Sequence, residues 1–236
     1  MMNMTIAQHR VDCACLDCLA QNGPFSHLSK DELEILDLHK HIVTYNPGEI
    51  LIKQGSAITH LTCIYQGLAK VYIEGINGHN LILQLIKGGD VIIGPGLYTD
   101  YRHHFSIAAI SETIACFIDI KAYLEIMKRN HGFAAQFHKS ENIKKINNLN
   151  KFVSLTQKQM SGRIAETLLY LHDIIYETNP FQIEVSRQEL AEMTALSKES
   201  VIRILKQFKD EEIIDMKGKR IEILDMAAVR HFSEVG

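Results

Sequence analysis

Tryptophan is absent from the chain, proline occurs only four times in 236 residues, and no apolar run is long enough to cross a bilayer. A membrane-spanning helix needs about 20 consecutive apolar residues, so no membrane segment is expected. The opening stretch MMNMTIAQHRVDC lacks the apolar centre of a secretory leader, which makes the cytoplasm the expected location. An excess of charge of one sign is lacking as well. The net charge of −3 argues against indiscriminate binding to nucleic acid but leaves room for a local basic face. The sequence also has no nucleophile elbow, no glycine loop built to cradle phosphate and no histidine–carboxylate cluster at metal spacing, so no enzyme is predicted. Cysteine is few and odd in number: five in all, three of them within CACLDC at residues 13–18. Such a set suits a metal or redox site in a reducing compartment better than a secreted disulfide framework.

Glycine is concentrated where short apolar runs occur. Nine of the 14 glycines lie between Gly48 and Gly96, among EILI, LTCIY, AKVYI, LILQLI and DVIIG, and FSIAAI and IACFID follow. Many short strands punctuated by turn residues predict an all-β roll. Asn-Gly within INGHN predicts a tight hairpin turn. From Thr99 to Asn179 there is no proline. Residues 121–130 read as a helix and about 133–176 as a longer one. In it Ile143, Ile146, Leu149 or Asn150, Val153, Met160 and Ile164 recur at helical spacing. A helix of that length bridges units or pairs with its twin. The expectation is a homodimer, parallel and two-fold, with Ile143, Ile146, Asn150 and Val153 at its interface. Residues 143–158 contain no acidic side chain, so no carboxylates oppose each other across the axis.

A compact unit follows NPFQIEV. SRQELAEM has Ser186 and Glu189 at the spacing of a capping box. SKESVIRILKQFKDE has Ser197 as its N-cap, and the short TAL between them predicts a helix-turn-helix. IIDMKGKRIEIL reads as two strands of a small wing. Val201, Ile204, Leu205 and Phe208 form the buried stripe of the second helix, leaving Lys198, Glu199, Ile202, Arg203 and Lys206 outside. Charged outer faces are usually just solvated, but this one carries groups for a major groove. Arg203 can fork onto guanine O6 and N7, Glu199 can accept from cytosine N4, and Ile202 suits a thymine methyl. Arg187, Gln188, Lys217, Lys219 and Arg220 are placed to touch phosphates. Ala195 stands in the turn where such motifs often carry glycine.

A glycine-rich β-roll, a long helix and a C-terminal winged helix-turn-helix together resemble the Crp/Fnr family of bacterial transcription regulators, from about Phe25 onward. SRQELAEMTALSKESVIRILKQFKDEEII is very similar to that family's DNA-reading segment, with Glu199 and Arg203 in its base-contacting places. The resemblance implies an α+β chain divided into a cysteine-bearing segment (1–24), a sensor roll (25–132), a dimerisation helix (133–158) and a winged helix-turn-helix (159–236). It implies double-stranded DNA with a near-palindromic operator, and RNA polymerase, as partners. Members that bind cyclic AMP carry a glutamate and an arginine for it. Here those places fall at Gly94 or Pro95 and near His104 or Phe105, so cyclic AMP is not expected. HHFSIAAISETIAC is closer to the oxygen-sensing branch. That likeness implies an iron–sulfur cluster of the four-iron type on Cys15, Cys18 and Cys116. The branch's further downstream cysteine is missing, since Pro24 or Phe25 stands there, and Cys13 would complete the set. Four thiolates also suit zinc. Cys63 reads as a buried structural thiol. His103 and His104, adjacent on a strand, would point opposite ways and not share a ligand. The competing function is a metal- or haem-binding redox sensor that acts through a protein partner.

Overall fold

The computed structural model describes residues 23–236. Cys13, Cys15 and Cys18 therefore lie outside the described residues. A short 3-10 turn at Gly23–His27 leads into α1 (Lys30–Leu38), which opens on a capping box between Ser29 and Glu32. Eight strands then form the roll: β1 (Lys40–Tyr45), β2 (Ile50–Ile52), β3 (His60–Gln66), β4 (Leu68–Ile73), β5 (Leu81–Lys87), β6 (Val91–Ile92), β7 (Ser106–Ala109) and β8 (Thr113–Asp119). They pair antiparallel into two four-stranded sheets, in the orders β1-β8-β3-β6 and β2-β7-β4-β5.

Three buried layers explain why the strands read as continuous apolar runs and not as alternating ones. Between the sheets lie Ile64, Ala115 and Phe117 from one sheet and Ile52, Val71, Ile86 and Ile107 from the other. The outer face of the first sheet sends Leu61, Cys63, Cys116 and Ile118 under a helical cover that includes Phe25, Leu36, Tyr123 and Phe133. The outer face of the second sends Leu68, Tyr72, Ile82 and Leu85 into the C-terminal unit. All four residues of β7 are buried in consequence. The expected tight turn between β4 and β5 is instead a longer connection, residues 74–80, holding a 3-10 turn at Ile76–Gly78. Gly78 there takes φ +76°, a backbone conformation open to glycine.

Two helices follow the roll, α2 (Ile120–Arg129) and α3 (His131–Gln157). The long helix expected to about residue 176 is broken. Lys158 (ψ 147°) and Gln159 (φ −67°, ψ 167°) are extended, and α4 (Met160–Tyr170) starts afresh before a π-helical turn at Leu171–Tyr176. Ser154 donates to Glu166, and Lys158 reaches the same carboxylate at 3.3 Å, fixing the bend. Ile164 is thereby turned inward and is 2% exposed, so it does not belong to the apolar stripe of α3.

The C-terminal unit comprises α5 (Arg187–Thr194), α6 (Lys198–Asp210) and α7 (Met226–Val235), with a sheet in the order β10-β11-β9 from β9 (Phe181–Gln182), β10 (Ile214–Lys217) and β11 (Arg220–Ile223). The wing thus has three strands where two were expected. Polar contacts tie this unit to the roll. Lys70 of β4 lies 3.1 Å from Glu189 and 3.6 Å from Glu192 of α5. The Tyr170 hydroxyl accepts from the Leu85 amide at 3.0 Å and faces the Leu85 carbonyl at 3.3 Å, occupying the edge of β5. Lys87 donates to the carbonyls of Ile174 and Ile175 at the end of the π-helical turn.

Lys70, Glu189 and Glu192 all have less than a fifth of their side-chain surface exposed. Burial alone pushes the Glu189 carboxyl up, but the Ser186 amide and hydroxyl together with Lys70 outweigh it and hold it below its ordinary value. Lys70→Met leaves two carboxylates buried without their cation, at a cost on the order of 3 kcal/mol. A group with a depressed folded pKa stabilises above its unfolded pKa of about 4.3 and loses that effect as pH falls through the folded value. Urea unfolding is therefore expected to show the full Lys70→Met deficit near pH 7 and a smaller one at acidic pH. A deficit that grows on acidification would contradict the clasp.

Candidate nucleic-acid interface

α5 and α6 are set at a fixed angle by residues 195–197. Ser186 accepts from the Glu189 amide while Glu189 accepts from the Ser186 amide, which closes the capping box at the start of α5. Ala195 ends the helix in the left-handed region, φ 51° and ψ 42°. Ser197 then caps α6 by accepting from the Ser200 amide at 3.1 Å. An alanine in that conformation carries a steric penalty of about 1 kcal/mol that glycine avoids. Ala195 is exposed, so Ala195→Gly is expected to raise the melting temperature without touching the interface. An unchanged or lower melting temperature would contradict the strain.

α6 buries Val201, Ile204, Leu205 and Phe208 and leaves Lys198, Glu199, Ile202, Arg203 and Lys206 exposed. The side chain meant to touch a thymine methyl, Ile202, has 47% of its surface in solvent. An isoleucine held in water on a helix whose other face is fully packed has nothing to do for the fold. The wing is tied to the end of α6, where Lys209 donates to the Met216 carbonyl at 2.7 Å. Lys217 and Lys219 are exposed near its tip, with Lys217 3.2 Å from Asp215. That contact holds the Asp215 carboxyl below its ordinary range. Arg220 pairs with Glu222 at 2.7 Å. Gln188 is exposed and lies 3.4 Å from Glu192. Arg187 differs from expectation: it is half-buried, with Nη2 3.7 Å from the Met216 sulfur, and burial lowers its pKa. It braces α5 against the wing and presents only part of its guanidinium outward.

On α3, Ile143, Ile146, Leu149, Phe152 and Val153 are 49–61% exposed, and Asn150 is exposed beside them. Ile143, Ile146, Leu149 and Val153 share one solvent-facing stripe, with Phe152 at its flank, the kind of patch that marks an interaction site.

Cys116 lies in β8 and is 3% exposed. Among the described residues no three metal-ligating side chains are gathered. His103 is buried, and its Nδ1 has no hydrogen-bond partner among the described residues, whereas His104 is exposed and pairs with Asp100 at 3.1 Å. The two residues lie in the loop before β7 and not on a strand as expected, one ring buried and the other exposed. Gly94 is buried and Phe105 packs in the roll interior, while Arg102 donates to the Gly55 carbonyl at 2.7 Å. No helix among the described residues is long and apolar enough to cross a membrane.

Sequence reasoning missed the Lys70–Glu189–Glu192 clasp, because its members sit on segments far apart in the chain and nothing in either segment announces the other. It also missed α1, whose Ser29 and Glu32 carry the same capping signal that identified α5.

Comparison with known proteins agrees with this arrangement. Residues 42–130 match the cyclic nucleotide-binding domain and residues 162–232 the Crp-like helix-turn-helix domain. The cAMP-activated global transcriptional regulator CRP of Escherichia coli O6:H1 is 30% identical over 195 residues, spanning 78% of this chain and 90% of that protein. The transcriptional activator protein Anr of Pseudomonas protegens is 24% identical over 217 residues, spanning 89% and 88%. The structure of FixK2 from Bradyrhizobium japonicum shares the fold with a TM-score of 0.77 at 17% identity, covering 84% of this chain and 98% of that one. A cyclic nucleotide-binding-type roll joined through a long helix to a capped helix-turn-helix, matched in both parts and in order, makes this chain a member of the Crp/Fnr family of DNA-binding transcription regulators.

Proposed function

We propose that the protein is a homodimeric regulator that reads a near-palindromic operator with α6 and responds to a redox or gas signal. The observation that carries the dimer is the exposed stripe of α3. Packing Ile143, Ile146, Leu149 and Val153 against the same residues of a second copy removes them from water and sets two copies of α6 side by side. Two symmetric readers require half-sites about one helical turn apart. Lys217 and Lys219 touch phosphates there, and Arg187 steadies α5. RNA polymerase is the further partner, by family resemblance.

Cyclic AMP is not the signal in this reading. A cyclic phosphate needs a fixed cation or backbone donors, yet by the family resemblance the carboxylate place falls at Gly94 or Pro95 and the guanidinium place near His104 or Phe105. The signal reaches the chain through an iron–sulfur cluster of the four-iron type on Cys15, Cys18, Cys116 and a fourth thiolate, for which the N-terminal spacing offers Cys13. Thiolates are the donors such clusters require. Phe25, which follows Cys18 closely in sequence, packs in the same buried cluster as Cys116. When bound, such a cluster supplies a centre that reacts with oxygen or nitric oxide. Protein purified without oxygen is expected to be coloured and to contain iron and acid-labile sulfide, and operator binding is expected to change on exposure to air. Colourless, iron-free protein would overturn the cluster reading, and binding indifferent to air would overturn its role as sensor.

A further inference from the structure

We infer that Asp215 stands in for a phosphate on the wing: it holds Lys217 in an ion pair that DNA must displace, and so limits how tightly the protein grips duplex of any sequence. The inference rests on the reading of Lys217 as a phosphate contact and adds a competitor to it. β10 and β11 pair Ile214 with Ile223, Asp215 with Glu222, Met216 with Ile221 and Lys217 with Arg220. Successive residues of a strand point to opposite faces. Ile214, Ile221 and Ile223 are accordingly buried, and the other face of the hairpin is made of four charged side chains.

The order of those charges is unfavourable for the hairpin itself. Like charges directly opposed across two strands destabilise the pair, yet here carboxylate faces carboxylate and cation faces cation. The offset comes along each strand, where Lys217 lies 3.2 Å from Asp215 and Arg220 lies 2.7 Å from Glu222. An acid opposite a base in each row would serve the sheet better. The order present instead gathers Lys217, Lys219 and Arg220 around the turn at Gly218. It sets both carboxylates at the root, where Asp215 also lies 3.6 Å from Lys209 of α6. Three cations around one turn suit an anion that arrives at the tip.

Within the Asp215–Lys217 pair the lysine is the partner free to leave. Its side chain is 75% exposed against 24% for Asp215, and Asp215 is held by a second lysine through its other carboxylate oxygen. A lysine on its flexible stem can pass from a carboxylate to a phosphodiester oxygen with the wing backbone in place. Asp215 then keeps Lys209, and the phosphate gives up its counterion. Every duplex offers that phosphate, so the competition lowers affinity evenly and leaves operator preference alone.

Gel shifts of the full-length chain on duplex of random sequence test this with wild type, Asp215→Asn, Lys217→Ala and the double variant. Asparagine keeps the shape of aspartate, and Lys209 keeps its bond to the Met216 carbonyl at 2.7 Å, so the wing stays where it is. Asp215→Asn is expected to bind about two- to five-fold more tightly, the worth of one exposed ion pair. Most of that gain is expected to vanish when Lys217 is already alanine. An equal gain with and without Lys217 means that the carboxylate repels DNA on its own account, and overturns the inference. No gain from Asp215→Asn, while Lys217→Ala weakens binding, also overturns it and leaves the phosphate contact standing. Lys217→Ala without effect in either background overturns both.

Discussion

If α3 pairs as proposed, Ile146→Glu is expected to separate the protein into folded monomers and to weaken operator binding by about 10²–10⁴-fold, the range lost when two linked binding events become independent. Ile146 is 56% exposed in the single chain, so the substitution costs each protomer little. Across a two-fold axis it sets two carboxylates against each other in a stripe that otherwise offers Ile143, Leu149 and Val153. Burying a charge without a partner in an apolar contact is expensive. Sedimentation at micromolar concentration reads the assembly, and circular dichroism confirms the fold. A variant that remains dimeric with unchanged affinity would place the dimer contact elsewhere.

Arg203→Ala is expected to cost about 1–3 kcal/mol of specific binding and to relax the preference at one base pair per half-site. Arg203 is exposed on α6, with Val201 and Ile204 buried on either side to fix its direction. Lys217→Ala contrasts with it. A phosphate contact carries no sequence information, so its loss weakens all sequences about equally and lowers the salt slope by about 1. Binding-site selection with each variant separates the two. An unchanged operator preference in Arg203→Ala would remove Arg203 from base reading.

The winged helix-turn-helix was legible because its signals are local. Ser186 with Glu189, Ser197, and the stripe Val201–Ile204–Leu205–Phe208 each lie within one helix, and the structure reproduces each. The roll was legible as strands but not as layers. Its β7 and β8 are covered on both faces, which erases the alternation that would have told inside from outside. The end of the long helix was hidden for a different reason. Ile164 keeps the helical period of Ile143 and Val153, yet two extended residues at Lys158 and Gln159 turn it into another core. Neither proline nor glycine marks that bend, and the contacts that hold it, Ser154 and Lys158 on Glu166, form only once both helices exist. Cys63 shows the same limit. As a residue in LTCIY it reads as a buried thiol, and only the register of β3 against β8 puts it opposite Cys116.

The central claim is sequence-specific recognition by a symmetric pair of α6 helices, and selection from random duplex DNA by anaerobically purified protein, repeated at several salt concentrations, tests it most directly. The account predicts enrichment of one near-palindromic site with half-sites about one helical turn apart, a preference that persists while absolute affinity falls with salt. Recovery of no common sequence, or of a single unpaired half-site, would contradict it.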